Sequence, residues 1–168
     1  MKVSFKNERI QNLHNYLAED FCENDLVYTE NSVMEKFASF IFCLTEEDWE
    51  YFERTIEKWN SENLERLARL IIDLQWRPKK ISPYIAEKVY CLAFIHCDYQ
   101  EIHDSLLDDF DIGFFPKDST DVELLKKLYQ RVEEILATFK FYEMNPEIEK
   151  AENLLKMVEE RLNAIKRR

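Results

Sequence analysis

The sequence predicts an all-α fold, and three observations carry that prediction. Only one glycine, Gly113, occurs in 168 residues, whereas hairpin turns, phosphate-binding loops and sheet bulges draw heavily on glycine. Apolar side chains recur at three- and four-residue spacing along most of the chain, the period of a helix with one inward face. Between these stretches stand Ser, Thr and Asn residues in N-cap positions, two of them followed directly by proline. Hydrophobic residues make up 46% and charged residues 34%, which excludes a disordered chain and implies one core under a heavily charged exterior. A chain of this length suits a single domain, residues 1–168, that buries roughly two-thirds of its unfolded surface without staples.

Spacing and caps together predict about eight helices. The first runs from Glu8 to Asp20 with Ile10, Leu13, Leu17 and Phe21 inward. Ser32 and Glu35 form a capping-box pattern for the second, whose stretch Phe37 to Leu44 is apolar nearly all round and is therefore expected to be central. Thr45 with Asp48 opens the third, where Trp49, Phe52, Ile56 and Trp59 share a face. Ser61 is the expected cap of the fourth, with Leu64, Leu67, Ala68, Ile71 and Leu74 inward. Ser82 before Pro83 begins the fifth, to about Cys97, and its uncharged stretch Val89 to Ile95 makes it a second central helix. The sixth spans Asp98 to Phe110 and stops at Gly113. Thr120 with Glu123 caps the seventh, to Phe141, and Asn145-Pro146 starts the eighth, to Ile165. Short connections imply antiparallel neighbours, in a single helical bundle or in stacked antiparallel helix pairs. The longest irregular stretch, Asp111 to Ser119, is a candidate functional loop.

Cys22, Cys43, Cys91 and Cys97 lie in or beside apolar runs and form no C-x-x-C pair, so buried thiols in a reducing compartment are expected. The start of the chain lacks an apolar leader and no apolar run approaches the about 20 residues of a membrane span, so a cytoplasmic protein without membrane contact is expected.

The net charge of -11 is unevenly placed. Residues 1–53 carry 12 acids against 4 bases, residues 54–97 carry 5 against 8, and residues 98–118 carry 7 against 1. On the sixth predicted helix, Asp98, Glu101, Asp104, Asp108, Asp109 and Asp111 fall on one arc, opposite Tyr99, Ile102, Leu106, Leu107 and Phe110. No cation lies within that stretch to form an i, i+4 pair, so the arc is a candidate surface for a cationic partner. Solubility alone also explains such a face. A second candidate patch is Glu46, Glu47, Trp49 and Glu50, whose acids also suit the first turn of a helix. The basic end, Lys166-Arg167-Arg168, suits a helix C-terminus. The net negative field argues against direct nucleic-acid binding.

Catalytic and cofactor motifs are missing. No H-E-x-x-H or Glu-x-x-His pattern surrounds His14, His96 or His103, and His96, Cys97 and His103 read as core and boundary residues. The pairs Glu47-x-x-Glu50 and Glu62-x-x-Glu65 have the spacing of the magnesium-binding motifs in all-helical nucleotide pyrophosphohydrolases, but no partner motif accompanies them. Neither a metal nor a cofactor is expected. Arg9 and His14 match the spacing of the Arg-x4–6-His motif of HEPN ribonucleases, so the chain resembles that class at this one motif, which implies RNA cleavage as an alternative reading.

In size, acidity and helical make-up the whole chain resembles the immunity proteins of bacterial contact-dependent and polymorphic toxin systems. That resemblance implies a non-enzymatic inhibitor that binds a cognate, basic protein toxin, often a nuclease. Asp98, Glu101, Asp104, Asp108, Asp109 and Asp111 would then pair with the toxin's cations, and Tyr99, Phe114 and Phe115 would anchor the interface. An acidic mimic of nucleic acid is a further reading of the same charge.

Overall fold

The computed structural model describes residues 3–18, 26–98, 106–110 and 113–167, which hold seven α-helices and no strand. They are α1 (Glu8–Leu17), α2 (Leu26–Ile41), α3 (Glu46–Thr55), α4 (Ser61–Gln75), α5 (Pro83–His96), α6 (Val122–Phe141) and α7 (Asn145–Lys166). Short 3-10 turns follow at Ile56–Lys58 and Asp108–Phe110. Within the predicted sixth helix the described residues show the second of these turns and a π-helical Leu106; residues 99–105 lie outside the described residues. Phe21 and Cys22 lie outside them too.

Most expected helix starts hold to within a residue, and the exceptions have local causes. The capping box at Thr45 forms in both directions: Asp48 N–H donates to Thr45 Oγ1 at 3.3 Å, and Thr45 N–H donates to Asp48 Oδ2 at 2.8 Å. The cap of α4 is Asn60, which accepts from Asn63 N–H at 2.7 Å, instead of Ser61. Asn caps at least as well as Ser, and the released Ser61 hydroxyl accepts from Asp98 N–H at 2.8 Å, tying the ends of α4 and α5 together. Likewise Asp121, not Thr120, caps α6 by accepting from Leu124 N–H at 3.0 Å. The largest departure is α2, which starts at Leu26, so that Ser32 and Glu35 lie inside it. Once a helix is nucleated each added residue gains a bond, and a polar residue in its interior costs only a few tenths of a kcal/mol, up to about 0.7.

The core is organised on α5. Every residue from Val89 to Phe94 is buried, and α5 packs on both α4 and α6. The α6–α7 pair is the tightest contact, while α1 packs on α2, α3 and α4. The second helix is not central as expected. It buries Met34, Phe37 and Ile41 and leaves Phe40 partly covered; just past its end Phe42 is partly covered and Cys43, expected to be buried, is exposed. Its apolar run is thus split between a buried stripe and the protein's flank. Cys91 and Cys97 are buried thiols as expected.

With one glycine available, helices end by other means. Arginines from neighbouring elements bind the carbonyls left over at segment ends. Arg66 Nη1 donates to Leu17 O at 2.8 Å, Arg131 Nη2 to Cys97 O at 2.6 Å, and Arg161 Nε to Ser119 O at 2.7 Å. At the α6–α7 turn, Met144 N–H donates to Phe139 O at 3.0 Å and Glu143 N–H to Lys140 O at 3.4 Å. That is the Schellman pattern, which places its reversing residue in the left-handed region. Here that residue is Glu143, with φ 55°. A side chain in that conformation costs about 1 kcal/mol or more, and glycine avoids most of it. Glu143→Gly should therefore raise stability by about 1 kcal/mol, read as a higher urea midpoint with an unchanged slope. A lower midpoint would contradict this account of the turn.

Candidate functional site

A groove of about 530 Å3 lies between α3 and α5. On α3 the residues Glu46, Trp49, Glu50 and Glu53 line it, at helical positions 0, +3, +4 and +7, which share one face. On α5 the matching stripe is Tyr84, Ile85, Lys88, Val89 and Leu92. Phe52 lies at its base and is buried. The groove therefore has an apolar floor, an aromatic at each side and an acidic rim.

Charge on the rim is only partly compensated. Lys88 Nζ lies 2.7 Å from Glu53 Oε2 and 3.9 Å from Asp121 Oδ2. Burial alone would lower the Lys88 pKa, but Glu53, Tyr84 and Asp121 outweigh it and push the ammonium upward. Among the described residues no ion pair reaches Glu46, Glu47 or Glu50, all of them exposed. Their neighbour Asp48 is buried beneath them and fully engaged. It accepts from Asn7 Nδ2 at 2.7 Å, Arg9 Nη1 at 2.9 Å, and the Thr45 N–H and hydroxyl at 2.8 and 3.0 Å. Burial opposes its ionisation, yet these bonds win and hold the carboxyl far below its usual range. Asp48 thus fixes the start of α1 to the start of α3 and orients the groove's acidic wall.

The second sequence-predicted patch is brought together at this groove: Glu46, Trp49 and Glu50 line it, and Glu47 stands exposed on the same turn. The first patch fares differently. Tyr99, Glu101, Asp104 and Asp111 lie outside the described residues. Asp98 is exposed. Asp108 is paired with Lys150, a cation from α7 that no i, i+4 count detects. Asp109 is half-buried and accepts from the Tyr90 hydroxyl at 3.2 Å; burial pushes its carboxyl up, with the Tyr90 bond opposing. Phe114 and Phe115 are buried, which corrects their reading as exposed anchors. Phe114 packs on Tyr90 at 5.4 Å between ring centroids, and Phe110 stacks edge-on to Tyr90 and Phe94 at 5.1 and 4.9 Å. These rings fasten the segment to α5 because a chain stretch without helix bonds needs side-chain burial to hold it.

Sequence spacing missed Glu53, Tyr84 and Lys88. Glu53 was legible in principle, one turn on from Trp49 and Glu50. The two α5 residues depend on which helix lies across from α3, and spacing within one helix carries no such information.

No family model, curated protein or solved structure matches the chain. The site must therefore be judged on its chemistry. Among the described residues no group of three His, Cys, Asp or Glu is placed to hold a metal. Glu62 and Glu65 are engaged by Arg66 and Arg69, at 2.5 and 2.7 Å. Arg9 is held by Asp48, and His14 is buried against Phe5 and Trp59, with its Nε2 3.2 Å from the Asn63 amide nitrogen. The His14 Nδ1 and Trp59 Nε1 atoms are buried without a partner.

Burial pushes the His14 imidazole below its ordinary 6.5. The unfolded chain therefore takes up a proton there first as pH falls, so stability declines below about pH 6.5 and continues to decline through the depressed folded value. Glu87 and Asp109, both raised by burial, act with the opposite sign at lower pH. A His14→Gln variant isolates the first effect, since it keeps a polar partner for Asn63 but does not titrate. Between about pH 7.5 and about pH 5.5 its urea midpoint should fall less than that of the parent chain; an equal fall would assign the slope to other groups, His96 first among them.

Proposed function

We propose that this chain is a protein-binding inhibitor of the immunity type, which engages a basic partner through the groove between α3 and α5. The observation that carries this reading is the set of unpaired carboxylates, Glu46, Glu47 and Glu50, beside an apolar groove flanked by Trp49 and Tyr84. Apolar floors with aromatic sides supply affinity through a few deeply buried anchors. Unpaired rim charges speed encounter and select partners of opposite sign. The groove follows α5 from Ser82 to Leu92, about 15 Å at the helical rise, which suits a partner helix of three turns laying its apolar face inward. A cognate toxin with a cationic surface fits this description, and a nuclease is one such protein because it carries cations for phosphate.

Charge reversal tests the reading. The partner to use is the product of the reading frame beside this chain's own gene, purified separately. Glu46→Lys with Glu50→Lys should leave the circular dichroism spectrum and thermal midpoint near those of the parent. Association should slow by about tenfold or more at low salt, with the difference shrinking as salt screens it. An Asp98→Lys control should change little. Unaltered association in the α3 double variant, with the fold intact, would sink the groove as the binding surface.

A further inference from the structure

The N-terminal turn of α5 is a ridge with a hollow on each side. Ser82 and Tyr84 face the groove already described, whereas Pro83 and Glu87 face a second hollow of about 270 Å3, whose other walls include Trp76, Lys80 and Phe114. Trp76, the C-cap of α4, is 74% exposed, and Tyr84 is 55% exposed. Exposed aromatics of this size beside a hollow are the side chains that protein interfaces use as anchors.

The charge here is opposite to that of the molecule. From Leu74 to Ala86, between Asp73 and Glu87, the chain has no acid and carries Arg77, Lys79 and Lys80. Lys79 Nζ sits 4.1 Å from the centroid of the Phe42 ring, which holds that cation against the protein's flank. Lys80 is exposed at the rim of the hollow. Glu87 is the one carboxylate on the wall; burial and Asp118, from the loop before α6, push its carboxyl up, and Lys117 from the same loop opposes them. At physiological ionic strength charges influence each other over about 8 Å, so this turn presents a local positive field although the net charge is -11.

We propose that the α4–α5 turn is a second docking surface, which takes an acidic segment of a partner protein and seats an apolar side chain of that segment in the Trp76 hollow. The two exposed lysines, Lys79 and Lys80, suit a few carboxylates at short range. A nucleic acid or an anionic membrane brings a dense charge that the acidic remainder of the molecule repels. The exposed indole adds a requirement for an apolar residue beside those carboxylates, which a peptide segment supplies. This surface does not depend on the groove between α3 and α5, and either can operate without the other.

The three tryptophans make the test direct, because Trp49 lines the groove, Trp59 is buried in the core and Trp76 borders the second hollow. Their indole N–H signals in the full-length, nitrogen-15-labelled chain report on three separate places. The probe is a blocked hexapeptide, Glu-Phe-Glu-Glu-Phe-Glu, compared with its Lys-Phe-Lys-Lys-Phe-Lys counterpart. The acidic peptide should shift the Trp76 signal saturably and leave Trp59 unmoved. Lys79→Glu with Lys80→Glu should weaken that response by about tenfold, an unmoved Trp59 signal showing that the fold persists; Lys80→Gln serves if the double variant misfolds. A shift of Trp49 by the basic peptide bears only on the groove. The proposal is overturned if the acidic peptide leaves Trp76 unmoved, if the basic peptide shifts it equally, or if the charge variants bind as the parent does. It is also overturned if an oligothymidylate of equal charge binds Trp76 more tightly than the peptide.

Discussion

Ending seven helices with one glycine is the constraint on which much of this structure depends. A helix leaves carbonyls unpaired at its C-terminus, and glycine in the left-handed conformation is the usual way to turn the chain while pairing them. Here the only glycine, Gly113, sits in the segment before α6 with φ 116°. Elsewhere the chain uses three solutions. Some helices end in right-handed residues such as Ala18 and Trp76, one forces Glu143 into the left-handed region, and Arg66, Arg131 and Arg161 reach across to carbonyls of distant segments. For Arg66 and Arg131 the last solution makes tertiary structure out of helix termination, while Arg161 ties α7 to the loop before α6; each arginine joins two elements far apart in sequence.

That use of arginine also shapes the electrostatic surface. Arg9 is taken up by Asp48, and Arg66 and Arg131 each serve a carbonyl and a nearby carboxylate. Lysines neutralise other acids, Lys88 at Glu53, Lys140 at Glu152 and Lys150 at Asp108. The acids left over include Glu46, Glu47 and Glu50 at the start of α3, where the helix dipole already favours negative charge and where, among the described residues, no ion pair reaches them. Binding potential at the groove is in this sense a residue of what internal joints consume.

The helical class was legible in the sequence because amphipathic spacing and caps are local properties. The inward face of α4 follows its spacing residue by residue, from Leu64 to Leu74; of the predicted third face, Phe52, Ile56 and Trp59 are buried, the last two beyond the end of α3, and Trp49 is only partly covered. The caps at Thr45 and Ser82 also fall where residue type put them. What spacing could not supply was the third dimension. The apolar run Phe37 to Leu44 looks central until one knows that only one of its faces meets α1 and α4. Phe114 and Phe115 look like exposed anchors until Tyr90 is known to lie beneath Phe114. Of the site, the α3 wall was readable and the α5 wall was not, since it is set by helix pairing. The cation at Asp108 was invisible for the same reason, being contributed from α7.

The joints of α1 bear on how the molecule assembles. The helices from α4 to α7 pack mainly on their sequence neighbours, and the α4–α5 and α6–α7 contacts close short loops at small entropic cost. The first helix packs on its neighbour α2 and also meets α3 and α4 across a long stretch of chain, and its two ends are fixed by polar joints, Asn7 and Arg9 to Asp48 and the Leu17 carbonyl to Arg66. Such bonds reward only a nearly finished geometry. The acidic wall of the groove, oriented through Asp48, is thereby tied to the start of α1, 41 and 39 positions away in the chain.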